Sequence, residues 1–317
     1  MSTDTLHLRA VGQALFVTFL WSTSWVLIKF GLEEIPPLTF AGLRYMLAFL
    51  TLLPFLWRQP DLAKNGEATS ESVFRLPSSL TSLTRNDWLR LLGLGVVFYA
   101  LTQGSQFVAL AYAPAVSITL ILSFTAVVVA LLGILFLGER PNGGQWLGML
   151  LALVGAIVYF YPFGLAQAQF IGIVAAVVGM LANSVSAVLG RYVNRGGAIR
   201  PLTVTVVSMG IGALVLLVGG IIWQGLPALR WQSWAIIGWL AVVNTAVAFT
   251  LWNHTLRTLS AMESTVVNNT MTVQIAILAL LFLGETINGR ELLGLAAVIA
   301  GTLLVQVRRT KRSAPIS

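Results

Sequence analysis

Ten runs of roughly twenty mostly apolar residues, near 11–30, 38–57, 88–108, 113–137, 143–161, 169–190, 201–223, 232–254, 261–283 and 287–307, constrain this chain more than anything else in it. Each is long enough to cross a hydrocarbon core of about 30 Å as a helix. Lipid offers no partner to a bare amide or carbonyl, so a run of this kind must bond its backbone internally. Charge is correspondingly scarce: 9% of the 317 residues, where a soluble domain carries roughly 25%. The first run follows a short segment holding Arg9, as a leader would, but it is too long for one and nine further runs follow; it reads as an uncleaved first helix. The expected fold is all-α and integral to the membrane, with ten transmembrane helices. Most connections are short. The exception, about 58–87, is rich in Ser and Thr and holds Pro60 and Pro77, which marks a surface loop.

Basic residues set the expected orientation. With a cytoplasmic N-terminus, fifteen Lys and Arg fall on the inside and only Lys29, Arg230 and Arg290 on the outside, with Arg44 within the second run. That asymmetry predicts both termini in the cytoplasm and a cell or inner-membrane protein. The net charge of +8 then reflects topology and lipid headgroups; no basic domain exists for nucleic acid to bind.

The chain also matches itself at an offset of 146. ILFLGERPNGGQWLGMLLALVGAIVYF at 134–160 pairs with LLFLGETINGRELLGLAAVIAGTLLVQ at 280–306, identical at ten of 27 positions. Five runs separate the copies, so the second crosses the membrane in the opposite sense. The expected organisation is a five-helix repeat over 1–165 (with the cytoplasmic loop 58–87), an inverted five-helix repeat over 166–307, and a basic cytoplasmic tail, 308–317. Inverted halves with a site near the midplane are a transporter architecture, and alternating access between the halves is the expected mechanism.

FLWSTSWVLIK (19–29), PPLTFAGLRY (36–45), ALAYAPA (109–115) and the two LFLGE segments, in this order and spacing, resemble the drug/metabolite transporter superfamily, in its EamA-like ten-helix branch. The resemblance implies two inverted repeats, cytoplasmic termini and export of metabolites or drugs. One departure stands out. The family often carries a proline early in its fourth and ninth helices, where this chain reads SFTAVV (123–128) and NTMTVQ (269–274).

Polar groups inside a membrane tend to face the bundle interior or a wet cavity. Arg44 lies about seven residues, or about 10 Å, into the second helix; it suits an anionic substrate group, or a structural pair with Glu33 or Glu34. Lys29 could assist it or snorkel outward. Trp21 and Trp25, four apart, share a face that lines a cavity or packs on neighbours. Tyr99, Gln103 and Gln106 form a polar stripe on the third helix. Asn183, Ser184 and Ser186 polarise the sixth, Asn244 and Asn253 the eighth, and Asn268, Asn269, Thr272 and Gln274 the ninth. Such amides suit zwitterionic substrates or interhelical hydrogen bonds. Glu139 and Glu285 each precede a helix by a few residues, where a carboxylate can cap amides. Glu263 and His254 are the candidates for proton coupling. Trp57, Trp88, Trp223, Trp231 and Trp234 sit near expected helix ends, as interfacial anchors do.

The chain has no cysteine, and no nucleotide loop, metal-ligand spacing or dinucleotide fingerprint. No catalytic residue, metal or cofactor is expected, and the chain is not read as an enzyme. The expected activity is secondary export of amino-acid-like metabolites or amphipathic drugs, by a monomer or homodimer. A non-transporting scaffold or sensor, or an enzyme acting on lipid-linked substrates, are the alternatives.

Overall fold

The computed structural model describes residues 3–57, 83–137, 142–162, 166–195, 199–255, 258–259 and 261–306. They form ten helices and, among the described residues, no strand. In the first half these are α1 (Thr3–Gly31), α2 (Pro37–Trp57), α3 (Arg85–Leu94, Gly95–Gln103 and Gly104–Tyr112 in one rod), α4 (Ala115–Ser123 and Thr125–Leu137) and α5 (Gly143–Phe160). In the second they are α6 (Gln167–Arg195), α7 (Pro201–Gln224), α8 (Trp231–Ala241, Val242–Val247 and Ala248–Thr255), α9 (Ala261–Phe282) and α10 (Gly289–Gln306). Among the described residues nine are long and apolar enough to cross a membrane, and α9 carries a shorter apolar stretch, Val266–Phe282. The third and sixth helices run several residues past their expected ends.

Local chemistry sets the boundaries. Pro37 and Pro201 occupy first-turn positions of α2 and α7, where a missing N–H costs nothing. Asn142 caps α5 in a reciprocal box with Gln145, and Asn288, its counterpart 146 residues on, exchanges the same two bonds with Glu291 at the start of α10. These asparagines therefore cap α5 and α10.

The fourth helix breaks at Phe124 without a proline. The Phe124 amide turns to Ile121 O (3.0 Å), and the Ser123 hydroxyl bonds back to Thr119 O (2.8 Å), a habit that bends helices. The ninth, equally lacking proline, is continuous.

α3 and α8 each contain a π-helical segment, at Gly95–Gln103 and Val242–Val247, which correspond under the 146-residue offset. In both, a threonine hydroxyl bonds to the carbonyl five residues back: Thr102 to Val97 O (2.9 Å) and Thr245 to Leu240 O (2.8 Å). Wide turns of this kind cluster at functional sites.

The tightest packing crosses between the repeats. α5 and α10 meet on four glycines in a reciprocal pattern. A methyl at Gly148 would stand 2.6 Å from Gly301 O, and one at Gly155 2.7 Å from Gly294 O; the converse holds from the other side. Gly42 and Gly220 bring α2 and α7 together in the same way, against Leu217 and Thr39. Of the remaining helices, α1 packs on α8 and α9, and α6 packs on α3 and α4. The two repeats are thus interleaved, and neither is a separate body.

Candidate functional site

Arg44 is the buried cation of the second helix. It is 6% exposed, on the second turn of α2. Its Nε and Nη2 both point to the Thr245 hydroxyl, at 3.4 and 3.3 Å. Its guanidinium carbon lies 5.2 Å from the Tyr45 ring centre and 6.0 Å from that of Phe107. No carboxylate pairs with it among the described residues. Of the two expected structural partners, Glu33 is exposed and forms no ion pair among the described residues, and Glu34 is taken by Arg230 (3.1 Å) and by the Ser233 hydroxyl (2.7 Å) on α8. The loop between α1 and α2 turns Glu34 toward the start of α8. A cation buried in lipid without a counter-charge is costly. Two aromatic faces and one hydroxyl offset only part of that cost, and the fork retains donors for an anion.

The surroundings of Arg44 come from both repeats. Tyr99 stacks edge-on against Tyr45, with centroids 5.7 Å apart. Tyr99 and Thr245 are counterparts at the offset of 146, each on a π-helical segment. One flanks Arg44 directly and the other through Tyr45. Thr245, Phe107 and Tyr45 are not conspicuous in the sequence as site residues. The offset was the available signal, since it maps Tyr99 onto Thr245.

Asn244, next to Thr245, is fully buried and points to α1. It donates to Leu20 O and to the Thr23 hydroxyl (3.3 Å), and its Oδ1 has no partner. Further along α1, Gln274 of α9 accepts from Ser22 (2.9 Å) and donates to Thr18 (3.2 Å) and Thr270 (3.1 Å). Ser123 of α4 meets Thr272 of α9 at 3.4 Å. Gln103 and Gln106 are half-buried with no hydrogen-bonding partner among the described residues, so their amides are available.

Other residues are placed elsewhere. Trp21 stacks on Phe249 and Trp252 of α8 (5.3 and 5.2 Å), and Trp25 is buried in the main core. Asn183 approaches Thr125 at 3.4 Å, and Ser186 turns back to Asn183 O (2.8 Å), both as packing bonds around α6. Asn269 is held by Gln306 of α10 (2.7 Å). Asn268 is exposed on the outside of α9 and does not face the interior as expected; the helix turn that aims Asn269 at α10 carries Asn268 away. His254 is exposed in the last turn of α8. Glu263 meets His7 at 3.1 Å, joining the starts of α1 and α9. The side chain of Asn253, and all of Glu139, lie outside the described residues.

At the opposite end of the bundle, Lys29 and Glu285 have found different work from that expected. Lys29 donates to Leu110 O (2.7 Å) and Ala113 O (2.9 Å), at the close of α3. Glu285 accepts from the amides of Ala115 (2.6 Å) and Val116 (3.1 Å), at the opening of α4. A cation thus meets the negative end of one helix and an anion the positive end of the next. Glu285 does cap a helix, but one in the other repeat. Gly284 makes this possible: its φ of +64° turns the chain out of α9, a conformation glycine adopts without strain.

A family model described as the EamA-like transporter family matches the chain twice, over residues 8–161 and 170–307. Among curated relatives, the uncharacterized transporter YoaV of Bacillus subtilis is 24% identical over 91% of this chain and 93% of its own length. A probable amino-acid metabolite efflux pump of Escherichia coli is 26% identical over 91% of each chain. Its namesake in Salmonella typhimurium is 27% identical over 94% of this chain and 96% of its own. A solved crystal structure shares the fold, with a TM-score of 0.63 at 19% identity over 94% of this chain and 97% of that one.

Proposed function

The chain belongs to the EamA-like transporter family, and from that premise we propose that it exports small amphipathic, amino-acid-like metabolites whose carboxylate is held by Arg44. The observation that carries this reading is the buried guanidinium without a carboxylate partner among the described residues, bonded to Thr245 of one π-helical segment and reached by Tyr99 of the other only through Tyr45. An anionic group arriving there completes the charge pairing that the protein leaves open. Tyr45 and Phe107 supply flat apolar walls, and the names of the efflux-pump relatives point the same way.

The packing pattern supports alternating access. The glycine contacts of α5 with α10 and of α2 with α7 pack those pairs backbone against backbone. The bodies that rock are therefore α1 with α8 and α9 against α3 with α4 and α6, and not one sequence half against the other. Each body carries one π-helical segment, and Arg44 lies between them. The positive-inside asymmetry puts both termini in the cytoplasm, and the Lys29–Glu285 end outside.

The test is counterflow in proteoliposomes loaded with unlabelled amino acids, sugars, nucleosides or cationic dyes. Saturable exchange of carboxylated amino-acid-like compounds, lost in Arg44→Ala, is expected. Exchange untouched by Arg44→Ala would return Arg44 to a structural role. No exchange of any compound by folded protein would favour a scaffold.

A further inference from the structure

Beside the Lys29–Glu285 end, a groove runs along the surface of α1. Phe19, Leu27 and Phe30 of α1, Trp239 of α8, and Leu278 and Phe282 of α9 surround about 450 Å³. Its walls are almost wholly apolar, so water has nothing to bond there. Phe19, Phe30, Trp239 and Phe282 are also exposed on the outside of the bundle, so the groove opens sideways into the bilayer. From Phe19 to Phe30 it is about 16 Å long at 1.5 Å per residue. That is the depth of one leaflet in a hydrocarbon core of about 30 Å.

At Phe30 and Phe282 the groove meets a second cavity of about 530 Å³, which both residues also line. This one is mixed in character, and its charged lining is Lys29, Glu33 and Glu285. Lys29 spends two of its three N–H donors on Leu110 and Ala113 and keeps one. Both Glu285 oxygens are taken by amides. Glu33 is exposed and forms no ion pair among the described residues. The mouth of the groove therefore offers one cationic donor and one free carboxylate.

We infer that this groove binds a phospholipid of the leaflet at the Lys29 end, with one acyl chain along α1 between Trp239 and Phe282, the phosphate on Lys29 and a headgroup ammonium against Glu33. Apolar length, sideways opening and paired charges at the membrane surface together match an ammonium–phosphate lipid such as phosphatidylethanolamine. A free metabolite lacks the chain, and phosphatidylglycerol lacks the ammonium. The inference needs only that the chain sits in a bilayer and does not depend on the cargo at Arg44.

The test uses full-length protein in phosphatidylcholine nanodiscs doped with diazirine-acyl phosphatidylethanolamine or phosphatidylglycerol, with crosslinked peptides read by mass spectrometry. The phosphatidylethanolamine probe should label 19–30 and 278–282 at least threefold more than the phosphatidylglycerol probe. Leu27→Trp fills the groove and should cut that labelling tenfold, leaving other lipid-facing peptides unchanged. Glu33→Gln should equalise the two probes. Labelling spread evenly over the bundle, unaffected by Leu27→Trp, or equal for both probes in the native chain overturns the inference. If Leu27→Trp fails to fold, excess unlabelled phosphatidylethanolamine must displace the probe from the same peptides in native protein; undiminished labelling overturns it equally.

Discussion

Arg44 and Thr245, 201 residues apart, meet where the two repeats interleave: one hydroxyl oxygen receives both Nε and Nη2 of the guanidinium while donating its own proton to Leu240 O. That single oxygen fixes the height of the guanidinium within the bundle, and it lies on the π-helical segment of α8. The geometry makes Arg44 a buried fork held at two of its nitrogens by one hydroxyl and flanked by two rings.

Arg44→Lys should therefore not rescue transport. Lysine keeps the charge but loses the planar fork that grips a carboxylate. Hydrogen bonds to charged groups contribute about 1.5–3 kcal/mol, or roughly a tenfold to hundredfold loss in counterflow. Thr245→Val should give a smaller loss, because it frees Arg44 without removing it. Both proteins should elute as folded monodisperse species, which separates a transport defect from misfolding.

Glu285→Ala removes the acceptor from two amides at the start of α4. Losing such a cap costs about 0.5–2 kcal/mol, and in detergent the melting temperature should drop by several degrees. Glu285→Gln keeps one acceptor and should fall in between. An unchanged melting temperature in the alanine variant would mean that the corner is held by other contacts.

Gly301→Ala places a methyl against the backbone of Ala152 and Gly148 (2.5 and 2.6 Å). Neither atom can yield without moving α5, so a loss of about 1–3 kcal/mol is expected. Gly219→Ala on α7 meets nothing within 4 Å and should be neutral or raise stability through helix propensity. Thermal unfolding of the pair side by side checks the contrast.

Orientation can be read directly, since the chain has no cysteine of its own. Ala228→Cys, between α7 and α8, should react with an impermeant maleimide on intact cells. Thr84→Cys, before α3, should react only after permeabilisation. The reverse pattern would invert the proposed topology.

Asn244 is the buried amide with an acceptor left over. Asn244→Leu removes its bonds to Leu20 O and Thr23. A buried amide hydrogen bond contributes about 1 kcal/mol, so a modest fall in stability is expected. A fall in counterflow well beyond that of a destabilised control would assign Oδ1 to the cargo.

Much of this architecture was legible from residue order alone. Ten apolar runs implied ten helices because lipid leaves a backbone no other solution. The FLGE…NG repeat implied inversion because five crossings separate its copies. Arg44 stood out because a lone cation within a span demands a reason. Tertiary structure decided the partners. Glu285 caps α4 and not the helix it precedes, because Gly284 turns it across the bundle. Arg44 faces Thr245, while Glu34 is claimed by Arg230 and Ser233. The break in α4 falls beside Ser123, which bonds back to Thr119 O, with no proline there. Composition and periodicity report how each segment meets its solvent, one helix at a time. Which polar atom meets which depends on helices brought together from distant parts of the chain, and no local pattern encodes that distance.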